Sequence, residues 1–92
     1  MATFLMFGKY SAEAFNGISP ERTDEARALI EKHGGALKAG YAVLGGVDLV
    51  MVIELPDAAR AMAVSAALTR LTGIAFTTAP AVTLDEFDKL AI

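Results

Sequence analysis

The chain has 92 residues, which suits one domain spanning residues 1–92. It has no cysteine, which excludes disulfides, thiolate metal sites and a cysteine nucleophile. The formal net charge is −3 and the eight lysines and arginines are scattered, so no basic face is available and nucleic-acid binding is not expected.

Residues 2–10, ATFLMFGKY, read as a strand. Its centre, Phe4-Leu5-Met6-Phe7, is apolar on both alternating faces, so both faces are expected to be covered. Residues 11–18, SAEAFNGI, read as a connection with turn chemistry at Asn16-Gly17. Ser19-Pro20 then opens a helix: Ser19 suits the cap and Pro20 the first helical position. Ala26, Leu29, Ile30 and His33 fall at helical spacing and form its inner stripe. Gly34-Gly35 ends it.

Residues 36–44 and 47–55 read as two strands joined by Gly45-Gly46, the signal of a two-residue hairpin. That register sets Val43 opposite Asp48 and Tyr41 opposite Val50, and puts Asp48 on one face with Tyr41, Val43, Val50, Val52 and Glu54. Pro56-Asp57 opens a second helix, rich in alanine, which runs to about Leu71 and stops at Gly73. Small side chains let such a helix lie close on a sheet. Residues 74–83 are a last strand, in which Pro80 implies an edge or a bulge. LDEFDKLAI is a tail with one or two helical turns.

The order β-α-β-β-α-β is the α+β, ferredoxin-like arrangement: a four-stranded antiparallel sheet with two helices on one face. It leaves the other sheet face bare. Of all residues 54% are apolar and the mean hydropathy is +0.47, more than one small core needs. A second copy of the chain packing sheet to sheet would bury the excess, so a homodimer or higher homo-oligomer is expected. No run of about 18 uncharged apolar residues exists, so no membrane helix is expected. The N-terminus lacks a basic region ahead of its short apolar run and does not read as a signal peptide; a cytoplasmic location is the default expectation.

One pattern is longer than any single element. Tyr41-x-x-Leu44-Gly45-x-x-Asp48-x-Val50-x-Val52-x-Glu54-x-Pro56-Asp57 resembles the central signature of GYD domain proteins. Tyr10, Ser19-Pro20, Gly34-Gly35 and Thr77-Thr78 extend the likeness over nearly the whole chain. The name-giving Gly-Tyr-Asp reads Gly46-Val47-Asp48 here, so any chemistry resting on that tyrosine is missing. The resemblance implies a dimeric α/β barrel. It carries over no activity.

Candidate site residues each have a plain structural reading beside the functional one. Asp48 is either a carboxylate in a pocket near Tyr41 or an acid that accepts backbone N–H groups or pairs with a basic residue beside the hairpin. His33, the sole histidine, is either a base or a side chain complementing the helix dipole. Tyr10 and Tyr41 either face a cavity between sheet and helices or are core residues with one bonded hydroxyl. Asn16 and Arg22, near the start of the first helix, are further candidates for the same pocket. Glu54 lies six residues from Asp48, roughly 20 Å along a strand, too far for a glycosidase carboxylate pair. Gly45-Gly46 joins two strands, so it is no phosphate loop. Met6, Met51 and Met62 read as packing residues. None of these patterns calls for a metal or a cofactor.

Three functions fit: a small-molecule binding or sensing module, a cofactor-independent enzyme of the monooxygenase or isomerase kind using Tyr10, His33 or Asp48, and a structural or partner-binding subunit. A cavity lined by Tyr10, Tyr41 and Asp48 would favour the first two, and a filled interior the third.

Overall fold

The computed structural model describes all 92 residues. In chain order the elements are β1 (Ala2–Lys9), α1 (Ala12–Asn16), α2 (Pro20–Lys32), β2 (Ala36–Ala42), β3 (Leu49–Leu55), α3 (Ala58–Thr72), β4 (Ala75–Ala81) and α4 (Leu84–Leu90). The strands form one antiparallel sheet in the order β2-β3-β1-β4. This is the ferredoxin-like fold of the α+β class, with α2 and α3 on one face.

Local chemistry starts and stops α2 and α3 close to where the sequence indicates. The Ser19 hydroxyl accepts from the Arg22 N–H at 3.0 Å, and Pro20 sits in the first turn, where its missing donor costs nothing. The Asp57 carboxylate accepts from the Arg60 N–H at 2.8 Å. Gly73 ends α3 at φ 76°, a conformation in which a side chain would crowd the backbone. After α2 the chain passes close to β3, and a Cβ on Gly35 would collide with the Glu54 carbonyl oxygen. Only glycine lets the chain turn there.

The core lies between the sheet and these two helices. Phe4 and Met6 of β1 and Met51, Ile53 and Leu55 of β3 meet Ile30 of α2 and Ala61, Val64 and Leu68 of α3. The alternation of side chains along a strand then sends Leu5, Phe7, Val50 and Val52 to the opposite face. Neither α2 nor α3 covers that face. At the sheet edges, β2 carries a bulge between Leu37 and Ala39, and β4 carries Pro80.

Two expectations are corrected. Residues 11–18 are more than a connection. Ser11 caps a short helix, its hydroxyl accepting from the Ala14 N–H at 3.0 Å, before the chain turns at Gly17. The Gly45-Gly46 turn is also not a two-residue hairpin. Tyr41 does stand opposite Val50, and the Val43 N–H donates to the Asp48 carbonyl at 2.9 Å, as the register requires. Regular pairing nevertheless ends at Ala42 and Leu49, and residues 44–47 form a wider loop. The reason lies on the other side of β3: the Asp48 N–H donates to the Gly8 carbonyl at 2.8 Å, so Asp48 is held to β1 as well as to β2.

The tail is helical. Thr83 caps α4 by accepting from the Glu86 N–H at 3.1 Å, and no residue of α4 is buried. No helix is long and apolar enough to cross a membrane.

Candidate functional site

The end of the sheet where β1 stops and β3 begins is also where α1 and the start of α2 lie. Together with β2 and the end of α3, these segments line a half-open cavity of about 610 Å³. Fifteen of its 22 lining residues are hydrophobic. Phe15 and Ile18 come from α1 and the turn after it, Leu49 and Met51 from β3, Ile74 from the link after α3 and Phe76 from β4. Its volume is in the range of small-molecule pockets, and so is the mixture of apolar walls with a few polar groups.

Asp48 stands at the closed junction of β1 and β3. Its Oδ2 accepts from the Tyr10 backbone N–H at 3.0 Å and lies 3.5 Å from the Lys9 ammonium. Both parts of the structural reading, a backbone donor and a basic partner, therefore apply together. The donor belongs to the end of β1, 38 residues away, and not to the glycine turn. The side chain remains 25% exposed and borders the cavity.

Tyr10 follows β1 and forms part of the cavity wall. Its ring is tilted against Phe15, with centroids 6.3 Å apart. The Arg22 guanidinium carbon lies 5.8 Å from the Tyr10 ring centroid, within cation–π range. Arg22 Nη1 donates to the Ala14 carbonyl at 2.6 Å, which ties the first turn of α2 to α1. Gly17 makes room for this, since a Cβ there would stand 2.9 Å from Nη1.

Tyr41 behaves differently from Tyr10. Its pairing with Val50 places it on the sheet face turned away from the helices, and it is 62% exposed. It borders the cavity only at the mouth, beside Leu44, which is 99% exposed.

The remaining candidates are not brought to this place. Asn16 ends α1, exposed and outside the lining. His33 caps the far end of α2, eleven residues or roughly 16 Å from Arg22 along the helix. Its Nδ1–H donates to the Leu29 carbonyl at 2.9 Å, which closes the last turn.

Several wall residues are not apparent from the sequence. Phe15 and Ile18 reach the cavity because α1 exists, and Ser11 before Ala-Glu-Ala was the available sign of that helix. Leu49 and Met51 fit the strand pattern, but nothing local indicates that they face a void.

The sequence matches the GYD domain model over residues 4–91. The chain belongs to the GYD domain family. A comparison with curated proteins found none that matches. Among solved structures, this GYD domain is similar to the leucine response regulatory protein of Mycobacterium tuberculosis, with a TM-score of 0.59 and 13% identity over 89% of this chain and 51% of that one. It is also similar to a glutamate-to-alanine mutant, with a TM-score of 0.58 and 13% identity over 89% of this chain and 50% of that one. The GYD domain thus spans about half the length of each. At this identity the likeness is one of fold.

Proposed function

We propose that this GYD domain is a homodimeric small-molecule-binding module of the cytoplasm, with its ligand in the cavity between α1, α2 and the sheet. The observation that carries this reading is the cavity itself: about 610 Å³, largely apolar, with Tyr10, Arg22 and Asp48 at one end. Its apolar walls include Phe15 and Ile18, which are 63% and 54% exposed, so an occupant would cover apolar surface that the chain alone leaves to water. Tyr10 and Asp48 are assigned to the site, with Tyr41 at its mouth. His33 and Asn16 are left to structural roles. The similar fold in a protein named for its response to leucine supports a sensing role. The dimer forms through the sheet face that carries Leu5, Phe7, Val50 and Val52, whose apolar side chains no helix of the core covers.

Native mass spectrometry of freshly purified protein tests both parts. A dimer carrying extra mass per subunit is the expected result, and that mass begins to identify the ligand. A dimer of bare polypeptide that also takes up no apolar dye would remove the binding reading. A monomer at micromolar concentration would remove the dimer.

A further inference from the structure

Arg22 is a half-buried cation without an anion. Three ion pairs occur in the chain: Lys9 with Asp48 at 3.5 Å, Arg27 with Asp24 at 3.4 Å and Lys38 with Glu54 at 3.9 Å. Arg22 is in none of them. The carboxylate that borders the same cavity, Asp48, is already committed to Lys9 and to the Tyr10 N–H. Arg22 is nevertheless held in place. The Ala14 carbonyl takes Nη1 at 2.6 Å, the Tyr10 ring lies 5.8 Å from the guanidinium carbon, and Gly17 leaves the space. A guanidinium has five N–H donors in a planar fork, and one contact to a carbonyl leaves most of them for another acceptor.

We propose that the cavity takes an amphipathic carboxylic acid, with its aliphatic or aromatic body among Phe15, Ile18, Leu49, Met51, Ile74 and Phe76 and its carboxylate on Arg22. This rests on the cavity being a binding site and names the class of ligand. Each alternative class leaves something unmatched. A neutral apolar ligand would desolvate Arg22 and give it no partner. A cation would meet Arg22 and Arg27, both of which border the cavity, while the bordering carboxylate, Asp48, is already paired with Lys9 and the Tyr10 N–H. A small hydrophilic anion would pair with Arg22 but leave the apolar walls in contact with water. An acid with an apolar body satisfies both ends, and a carboxylate matches the guanidinium fork in two parallel bonds.

The test is isothermal titration calorimetry of the unaltered protein, at low salt and neutral pH, with 3-phenylpropionate, decanoate and the uncharged amide of each. At least one acid is expected to bind about ten-fold more tightly than its amide, a difference of about 1.4 kcal/mol, and added salt is expected to narrow the gap. Arg22→Gln should bring the acid down to the level of its amide, and Arg22→Lys should restore part of the preference. Acid and amide binding equally to the unaltered protein would overturn the charge assignment and leave the cavity reading intact. If none of the four binds, and an apolar dye is not taken up either, the cavity reading fails and the assignment falls with it. The acid–amide comparison needs no variant, so it stands even where a substitution at Arg22 loosens α1.

Discussion

Asp48 joins three strands through its own atoms. Its carbonyl accepts from Val43 of the β2 side, its N–H donates to Gly8 of β1, and its carboxylate takes the Tyr10 N–H just past β1. Without the carboxylate, a half-buried donor has no replacement in the chain. Asp48→Ala is therefore expected to cost about 1–3 kcal/mol, the range for leaving such a donor unpaired. Lys9→Ala removes only an ion pair whose lysine is 59% exposed, and its cost should stay below about 1 kcal/mol. Urea denaturation of the two variants beside the parent separates these effects, and an Asp48→Ala midpoint equal to the parent's would take the anchoring role from this residue. The sequence showed that a carboxylate at the start of an apolar strand needs a partner. It did not show which, because Tyr10 is 38 residues away and reaches Asp48 only once β1 and β3 are in register.

Elements were legible wherever a cap or a turn marks them. Ser19-Pro20 and Asp57 act locally, and α2 and α3 begin where these residues indicate; Gly73 ends α3, and α2 ends at its cap His33, just before Gly34-Gly35. Helix α1 is masked in the sequence because it has only five residues and Asn16-Gly17 gives an equally good turn signal. Gly45-Gly46 misled in the opposite direction, since its local preference for a tight hairpin yields to the pull of β1 on Asp48. Gly35 is a glycine whose necessity lies in another element, the Glu54 carbonyl of β3. Gly35→Ala is expected to force α2 and β3 apart and to destabilise by about 1–3 kcal/mol, as overpacking does. Gly46→Ala, where an added Cβ meets nothing within 4 Å and the backbone is not in the left-handed region, makes a comparison for general glycine effects. Thermal melts of both check this, and equal melting points would show that the close approach at Gly35 relaxes without strain.

At the scale of the molecule, the topology followed from the order of its signals, and the two-faced strands required a covered second face. The face is there: Leu5, Phe7, Val50 and Val52 stand opposite the core. Charges placed among them should prevent association through it. Leu5→Glu with Val52→Glu is expected to give a monomer in light scattering with the helix content of the parent, since both positions lie outside the core cluster. A double variant that still elutes as a dimer would move the interface elsewhere. The cavity was legible only in part. Tyr10, Tyr41 and Asp48 border it, whereas its volume depends on how α1, α2 and the sheet end fail to meet, which no local pattern records.

The two sheet edges have a consequence for the cell as well as for the fold. Unpaired strand edges invite other chains to add on, and a small protein of which 54% is apolar is exposed to such growth. Here β2 breaks its ladder at the Lys38 bulge and presents a charged side chain, while β4 gives up a donor at Pro80. Ribbon-like stacking of one sheet onto the next is thereby discouraged at both ends. Under the proposed dimer, the same edge features protect the chain from fibril formation during the interval before the second copy covers the sheet face.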